Sequence, residues 1–352
     1  MRMKVIKISA VTLLFICAML INLMFPSYSL NGAIDGLIIC GEVIIPSLFP
    51  FCVLALFAQK SGIMKIVSKP FSSIARKLFH QNNEQFGVFL MSFLGGYPVG
   101  SRLINELYKE KRIDKKRAGT MLLYCVNSGP AFVLIAVGVG ILGRPKSGAY
   151  ILISNIIASI AIAMFAERHN SIPRGNKITA YCGITDSFVS AVSDSVKSMF
   201  TICGWVVLFS ALLSFVKCGV FSKYIEKFIC AFLEVSNGVI SLDGNVPLIA
   251  GIIGFGGVCV HCQVYSSAQA FAPKYSVFLA YRVTHAVISS GVTYIMLKLS
   301  NETVQTLTNN VDFMTHNRSF TYASALALMF TGVVLIASTY GKEKSVEKPF
   351  NL

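Results

Sequence analysis

The chain has 352 residues, of which 54% are hydrophobic and 13% are charged, and its mean hydropathy is +0.66. Soluble domains carry about 25% charged residues, so the composition excludes an ordinary soluble domain. The formal net charge is +15, but the basic residues cluster between apolar runs and are not interleaved with aromatic residues on a polar face, which argues against nucleic acid as a partner. We attribute the charge to membrane orientation and to attraction by anionic lipid headgroups.

Apolar runs recur along the chain at lengths that approach the ~20 residues of a bilayer span. They cover residues 8–25, 37–58, 86–94, 121–142, 150–165, 199–216, 246–271, 276–297 and 322–338. The sequence therefore predicts an all-α, polytopic helical membrane protein. Most of the cysteines lie inside these runs, where a thiol acts as a small hydrophobe, so no disulfide framework is expected.

The N-terminal residues 1–31 have a basic start and a long apolar core. Their apolar stretch exceeds the usual 7–15 residues of a signal-peptide core, so we predict a retained transmembrane helix or signal anchor, with a cleaved signal peptide as the alternative. The N-terminus is expected in the cytoplasm. Either outcome places Asn31 outside.

The same order of features occurs twice in the chain, which predicts an internal duplication. Each half has an apolar helix, a basic amphipathic stretch (64–79 and 221–233), a double-glycine segment (93–102 and 254–263) and a Ser-Gly helix break (126–130 and 288–292). Internal duplication is a common architecture of transporters. The predicted units are the N-terminal helix 1–31, a first repeat 32–170, a cytoplasmic linker 171–197, a second repeat 198–340 and a polar tail 341–352.

The double-glycine segments decide the topology, because they either cross the membrane or enter it and turn back. If every apolar run crosses, the two sides hold 15 and 14 Lys and Arg; if both double-glycine segments re-enter, they hold 20 and nine. Cytoplasmic loops are enriched in Lys and Arg, and Gly95, Gly96, Pro98 and Gly100 disfavour an uninterrupted helix. We therefore predict inverted repeats with two re-entrant broken-helix hairpins and about seven crossing helices.

A polar pocket is expected where the hairpin tips meet the Ser-Gly breaks, because interrupted helices leave free N–H and C=O groups whose dipoles point at the break. The amides of Asn127 and Gln263 both donate and accept, which suits a neutral polar solute. In the alternative interpretation they only join helices. The candidate substrate-binding residues are Gly95, Gly96, Tyr97, Asn127, Ser128, Gly129, Gly256, Gly257, His261, Gln263, Arg282, Ser289 and Ser290.

Two arginines lie inside apolar segments, Arg102 and Arg282. Intramembrane charges are functional candidates by default, although both lie about two turns from a segment end and could snorkel. Glu42 and Glu106 are the acidic partners that we expect first. Asp35 is a further acidic residue near these segments.

The segment Cys259-Val-His-Cys262 resembles a metal-binding motif. A zinc site needs four ligands, and only His285 is an obvious addition, so we interpret the motif as small side chains in a tight hairpin and predict no metal or other cofactor. The sequence contains no nucleophile–base arrangement, phosphate loop or pair of catalytic carboxylates, so no enzymatic activity is expected.

Five segments together resemble the bacterial sporulation integral membrane proteins that carry nucleoside-recognition (Gate) domains. They are "IIPSLFPF" (44–51), "FLGGYPVGSRLINELY" (93–108), "CVNSGPAFVLIAVGVGILG" (125–143), "GFGGVCVHCQV" (254–264) and "YRVTHAVISS" (281–290). The resemblance spans residues 32–340 and implies Gate-like repeats at 32–170 and 198–340. The positions that match the family's motifs are Pro46, Phe49, Pro50, Gly95 to Gly100, Asn127 to Pro130, Gln263, Arg282 and His285.

The resemblance implies a multi-pass protein of the cell membrane that is connected with spore envelope development. We expect a permease-like protein that binds or moves a small polar solute, nucleoside-like solutes included, at the interface of two inverted repeats. The alternative is a non-transporting membrane scaffold needed for assembly of the spore cortex or coat. Partners would then be other membrane proteins or a second copy of the chain.

Overall fold

The computed structural model describes residues 12–13, 16–17, 19–168, 170, 183–218 and 221–300. These residues form helices and no β-strand. The α-helices are α1 Pro26–Ile39, α2 Ile45–Lys60, α3 Ile63–Ser68, α4 Ser72–Phe79, α5 Asn83–Gly95, α6 Tyr97–Lys109, α7 Lys115–Leu122, α8 Pro145–Glu167, α9 Ile184–Val216, α10 Lys223–Leu233, α11 Val235–Ser241, α12 Val246–Phe255, α13 Gly257–Ala268 and α14 Tyr275–Leu299. π-Helices cover Cys40–Ile44 and Ala131–Ile141, and a 3-10 turn covers Lys69–Phe71.

Four helical stretches are long and apolar enough to cross a membrane: Pro26–Lys60, Pro145–Glu167, Ile184–Val216 and Val246–Ala268. The chain is therefore an all-α polytopic membrane protein, as its composition predicts. The predicted run 322–338, the tail 341–352 and most of the N-terminal segment lie outside the described residues. Residues 184–197 of the predicted linker form the first part of α9.

The helix α9 packs against α1 and α2, and its contact with α1 is made through small residues. A Cβ added to Gly32 would lie 2.6 Å from the Ser210 carbonyl oxygen, and one added to Gly36 would lie 2.8 Å from the Cα of Val207. Glycines spaced four residues apart let two membrane helices approach backbone to backbone. Substitution of either glycine would push the pair apart.

The two ends of α9 define the two ends of the bundle. At one end, Lys60 at the close of α2 pairs with Asp194 at 2.8 Å. At the other end, the Ser214 hydroxyl donates to the Tyr28 carbonyl oxygen at 2.6 Å, and Lys217 follows directly after α9. We call these the Lys60 end and the Lys217 end.

The first double-glycine segment turns back on itself. Gly96 has φ of +80°, a conformation that favours glycine, and α5 and α6 then run side by side. A Cβ on Gly100 would lie 3.0 Å from the Ser92 Cβ, although residues eight apart in a straight helix are separated by about 12 Å. Arg112 and Glu84 close the base of this hairpin with an N–O distance of 2.5 Å. The predicted hairpin is confirmed here.

The prediction of a hairpin at the second double-glycine segment is wrong. A Cβ on Gly251 of α12 would lie 3.4 Å from Ser290, whereas the rings of Tyr265 of α13 and Phe278 are 5.3 Å apart. The helices α12 and α13 therefore pack one after the other along the length of α14. They form one helix that is interrupted at Gly256, where φ is +88°. This segment lacks the proline that begins α6 in the first hairpin, and the chain resumes in the same direction.

A second hairpin is formed instead by α10, which covers most of the predicted amphipathic stretch 221–233, and α11, which follows that stretch. A Cβ on Gly238 would lie 2.6 Å from the Ala231 Cα, so the two helices are in close contact. Lys227 forms an ion pair with Asp243 at the base. The carboxylate of Glu234 at the tip accepts hydrogen bonds from the first backbone amides of α11, which is the usual role of an N-cap.

The two predicted Ser-Gly breaks have different outcomes. The chain is not helical from Val126 to Gly129, between α7 and the second π-helix, which confirms the first break. The second break is wrong, because α14 continues through Ser289 and Ser290 without interruption. Pro130 follows the first Ser-Gly pair and disfavours a helical residue before it, whereas a valine follows the second, and a lone glycine costs a helix only about 1 kcal/mol.

Candidate functional site

Both hairpin tips touch an interrupted helix. A Cβ built on Gly96 would lie 3.6 Å from the backbone nitrogen of Gly129 at the first break. One built on Gly257 at the second break would lie 3.1 Å from the carbonyl oxygen of Leu233, which precedes the tip of the second hairpin. At both contacts backbone approaches backbone, and Gly96 and Gly257 have φ of +80° and +71°, a conformation that favours glycine.

Tyr97 connects the first hairpin to the second interrupted helix. Its hydroxyl donates to the Ile253 carbonyl oxygen at 2.7 Å, and its ring is buried. Ile253 lies in the last turn of α12, where carbonyl groups lack helical partners. The Tyr97 side chain therefore satisfies an acceptor that the break at Gly256 leaves open.

Arg282 joins the two breaks. Its side chain is completely buried, and its guanidinium donates to the carbonyl oxygens of Val126 at 2.8 Å, of Phe255 at 3.3 Å and of Gly254. The last two carbonyls form the C-terminal end of α12, where the helix dipole is negative. No carboxylate forms an ion pair with Arg282 among the described residues, so the carbonyl groups stabilise its charge. The snorkelling alternative is wrong for this residue.

His261 also binds a free carbonyl group at the C-terminal end of α12. Its Nε2 lies 3.0 Å from the Phe255 carbonyl oxygen, and its Nδ1 lies 3.1 Å from the Tyr275 hydroxyl. Since a carbonyl only accepts, Nε2 carries a proton, and Nδ1 of a neutral ring accepts from the tyrosine. His261 therefore has two partners of its own inside the protein.

A chain of buried polar side chains runs from α5 through the first break and α8 to α14. The Asn127 amide donates to the Ser92 hydroxyl at 2.8 Å, and the Ser159 hydroxyl donates to the Asn127 oxygen. Ser159 also lies 3.1 Å from Nε2 of His285, whose Nδ1 is 3.3 Å from the Ser289 hydroxyl. Neutral donors and acceptors from both halves of the chain therefore meet in one buried polar cluster.

Other predicted residues lie outside this network of hydrogen bonds. The Gln263 amide contacts the Cys259 sulfur at 3.4 Å within α13, and Ser290 packs against α12. Gly95 lies in the last turn of α5, against Val99. The Ser128 hydroxyl is buried and has no hydrogen-bond partner in the described part of the chain.

The expected acidic partners are not paired with the intramembrane arginines. Glu106 contacts Lys109 at 3.3 Å, and Glu42 is exposed. In the Cys259–Cys262 segment, Cys259 and His261 each have other partners, and the described residues contain no group of three or more potential metal ligands.

Sequence reasoning missed a buried charge cluster near the Lys60 end. Arg117 of α7 pairs with Glu167 of α8 at 2.7 Å, and the Tyr124 hydroxyl donates to the same carboxylate at 2.6 Å. Arg117 also donates to Gln85 of α5 at 3.0 Å. The signal in the sequence was Glu167, a single acid at the end of an apolar run.

These elements define an all-α integral membrane protein whose hairpin tips and interrupted helices meet around a buried polar centre. Residues 42–145 match the Gate family model, which is described as nucleoside recognition. The chain is similar to the sporulation integral membrane protein YlbJ of Bacillus subtilis (strain 168), with 22% identity over 332 residues that cover 81% of each chain. The resemblance seen in the motifs is thus confirmed. No solved structure matches the chain.

Proposed function

We propose that this chain is a sporulation-associated membrane protein of permease type, which binds or moves a small polar solute where its two halves meet. The observation that carries the proposal is the junction at Arg282, whose guanidinium contacts both helix breaks. Interrupted helices place unpaired backbone groups inside the membrane only where protein or a solute cavity satisfies them. The Gate match over 42–145 includes the first hairpin and the first break, and the similarity to YlbJ suggests the role in sporulation.

The order of elements supports two repeats of opposite orientation. Each half has a hairpin, an interrupted helix and an unbroken helix, and the hairpin bases lie at opposite ends of α9. The first set is α5–α6, then α7 with the Ala131–Ile141 π-helix, then α8; the second is α10–α11, then α12–α13, then α14. Inverted pairs of this kind are typical of secondary transporters, whose sites lie at the repeat interface.

The distribution of charge supports a cytoplasmic Lys60 end in the cell membrane. By the contacts described above, fourteen basic residues of the described chain lie at this end and six at the Lys217 end. The fourteen are Lys60, Lys65, Lys69, Arg76, Lys77, Lys109, Lys111, Arg112, Lys115, Lys116, Arg117, Arg168, Lys197 and Lys274; the six are Arg144, Lys146, Lys217, Lys223, Lys227 and Lys298. Cytoplasmic segments carry the excess of Lys and Arg.

The chemistry of the buried polar side chains around Asn127 favours a neutral solute with several hydroxyl or amide groups. Asn127 offers both a donor and an acceptor, Ser159 a hydroxyl, and His285 a ring nitrogen. No carboxylate takes part in this chain of hydrogen bonds. Nucleosides, which carry sugar hydroxyls and a base with amide-like edges, are the first class to test, in agreement with the description of the matched family.

The second candidate function is a membrane scaffold for assembly of the spore envelope. The observation in its favour is that Asn127, Ser159 and His285 satisfy one another inside the protein. A buried network without free groups stabilises a structure without binding anything.

A solute panel followed by thermal unfolding tests the two candidates. For the permease, a nucleoside raises the melting temperature of the wild type, and Asn127→Ala abolishes the rise measured from its own baseline. Asn245→Ala, which removes the N-cap of α12 at the end of that helix remote from the break, is the matched control and keeps the rise. Gln263→Ala probes whether α13 contributes.

Uptake into vesicles then separates binding from transport. A panel without any shift, combined with normal sporulation of the Asn127→Ala strain, would contradict the permease and support the scaffold.

A further inference from the structure

Arg102 differs from the other arginines inside the bundle because its guanidinium is poorly satisfied. Arg112, Arg117 and Arg282 each have several close partners. Arg102 has one long hydrogen bond, 3.4 Å from Nη2 to the Ser198 carbonyl oxygen. Its Nε is buried and has no hydrogen-bond partner in the described part of the chain, as is also true of the Arg117 Nε. Unlike Arg117, however, Arg102 forms no ion pair with a carboxylate of that part. Arg102 is only partly exposed, and Asp194 and Glu106 act on its charge from a distance without pairing with it. A partly buried cation whose donors lack close partners is costly.

A second unsatisfied donor lies beside it. Ser195 of α9 is completely buried, and its hydroxyl has no hydrogen-bond partner among the described residues. Ser195 precedes Ser198 by three residues, so both face the same side of α9. The thiol of Cys52 in α2 lies within reach of the Ser195 and Ser198 hydroxyls but is only a weak hydrogen-bond partner. Arg102 also lies near Cys52, so these groups lie together between α2, α6 and α9, at a place that we call the crevice.

We propose that Arg102 and Ser195 bind the oxyanion of a phosphate group in this crevice. A guanidinium presents a rigid fork of donors that matches phosphate bidentately, and a serine hydroxyl supplies a further donor. The phosphate would neutralise the charge of Arg102 and satisfy both open donors at once. Each unsatisfied buried group in a native protein calls for such an explanation.

The depth of the crevice points to the headgroup region. Ser198 lies one helical turn, about 6 Å, further into the bundle than Asp194, which pairs with Lys60 at the Lys60 end. Lys60 and the exposed Lys197 add positive potential there, while Asp194 opposes it. The phosphate of an anionic phospholipid and that of a soluble phosphate compound share the required chemistry.

Glu106 is the competing partner, because it lies four residues after Arg102 on α6 and would reach it if it released Lys109. An Arg102–Glu106 ion pair would satisfy the guanidinium without any phosphate. Glu106→Gln separates the two explanations. In the phosphate proposal this substitution leaves binding unchanged or strengthens it.

The test uses the full chain, purified in detergent and stripped of lipid. Dioleoylphosphatidylglycerol and inorganic phosphate are titrated separately, with the melting temperature and native mass spectrometry as readouts. We expect saturable binding by the wild type, weakened at least 10-fold in Arg102→Gln and about 3-fold in Ser195→Ala. Lys197→Gln, on the same helix and exposed, is the matched control and binds like the wild type.

The two probes distinguish the source of the phosphate. A response to phosphatidylglycerol alone identifies a lipid site, and a response to millimolar inorganic phosphate identifies a soluble ligand. The proposal is overturned if neither probe binds the wild type, or if Arg102→Gln binds as well as the wild type. Should Arg102→Gln not fold, Arg102→Lys, which keeps the charge but loses the fork, must still show weakened binding.

Discussion

The Arg282 guanidinium donates a 2.8 Å hydrogen bond to the carbonyl oxygen of Val126, a residue 156 positions earlier in the chain. The contact links the unbroken helix of the second half to the helix interruption of the first half. Arg282 also holds the free carbonyls at the end of α12. One side chain thus satisfies acceptors from both breaks, and its loss would expose all of them inside the membrane.

Arg282→Gln should destabilise the protein strongly. Glutamine reaches at most one of the carbonyl groups, and a buried acceptor left without a donor costs about 1–3 kcal/mol. We expect a loss of about 3 kcal/mol or more in the free energy of unfolding, measured by thermal or denaturant unfolding in detergent. Lys298→Gln, an exposed change on the same helix, should alter stability by less than about 0.5 kcal/mol. Equal effects of the two changes would refute the role of Arg282 as a link.

The ion pair between Arg117 and Glu167 should respond asymmetrically to single and double substitution. Glu167 is completely buried, so Arg117→Met leaves an uncompensated buried charge and should cost about 3–5 kcal/mol. The double variant Arg117→Met, Glu167→Met removes both charges and should recover a large part of this loss. Unfolding of the four proteins in a double-mutant cycle measures the coupling. Additive losses would show that the two residues act independently.

Gly100 should not tolerate even a methyl group. A Cβ there would lie 1.9 Å from the backbone carbonyl oxygen of Cys125, so Gly100→Ala forces α6 away from the segment that precedes the first break. We expect a loss of at least about 2 kcal/mol, read from the melting temperature. Gly204→Ala is the control, because no atom lies within 4 Å of a Cβ at that position; it should be neutral or stabilise by up to about 1 kcal/mol.

Cysteine labelling tests the orientation of the bundle. The background is Cys17→Ser, Cys182→Ser and Cys218→Ser, which removes two exposed thiols and the one cysteine outside the described residues. In it, Lys116→Cys and Lys223→Cys each place one exposed thiol, at the Lys60 end and the Lys217 end. An impermeant maleimide should label position 223 in intact cells and position 116 only after lysis. The reverse pattern would place the Lys60 end outside.

The sequence predicts the membrane class and the first hairpin well, because both rest on local chemistry. Apolar length identifies spanning helices, and Gly96 followed by Pro98 cannot continue a helix. The first Ser-Gly break is predicted for the same reason, since Pro130 enforces it. These features depend on residues that are adjacent in the chain.

Other features depend on partners that are remote in sequence. The pattern around Gly256 resembles that around Gly96 except for the missing proline, and the contacts with α14 show that this segment continues in the same direction. The second hairpin, α10–α11, depends on Gly238 packing against Ala231, and the pairing of Arg117 with Glu167 joins helices that the sequence separates. Asn127 was predicted, whereas Ser92 and Ser159, its partners, were not, because isolated serines in apolar helices carry little signal.

The two hairpin bases sit in different electrical surroundings. Arg112 and Glu84 are largely shielded, with side chains 8% and 13% exposed, whereas Lys227 and Asp243 are 40% and 60% exposed. Dissolved ions screen exposed ion pairs far more than shielded ones. Raising the ionic strength on both faces of the membrane would therefore weaken the ion pair at the base of the second hairpin and leave that of the first largely intact, so the two ends of this protein respond unequally to salt.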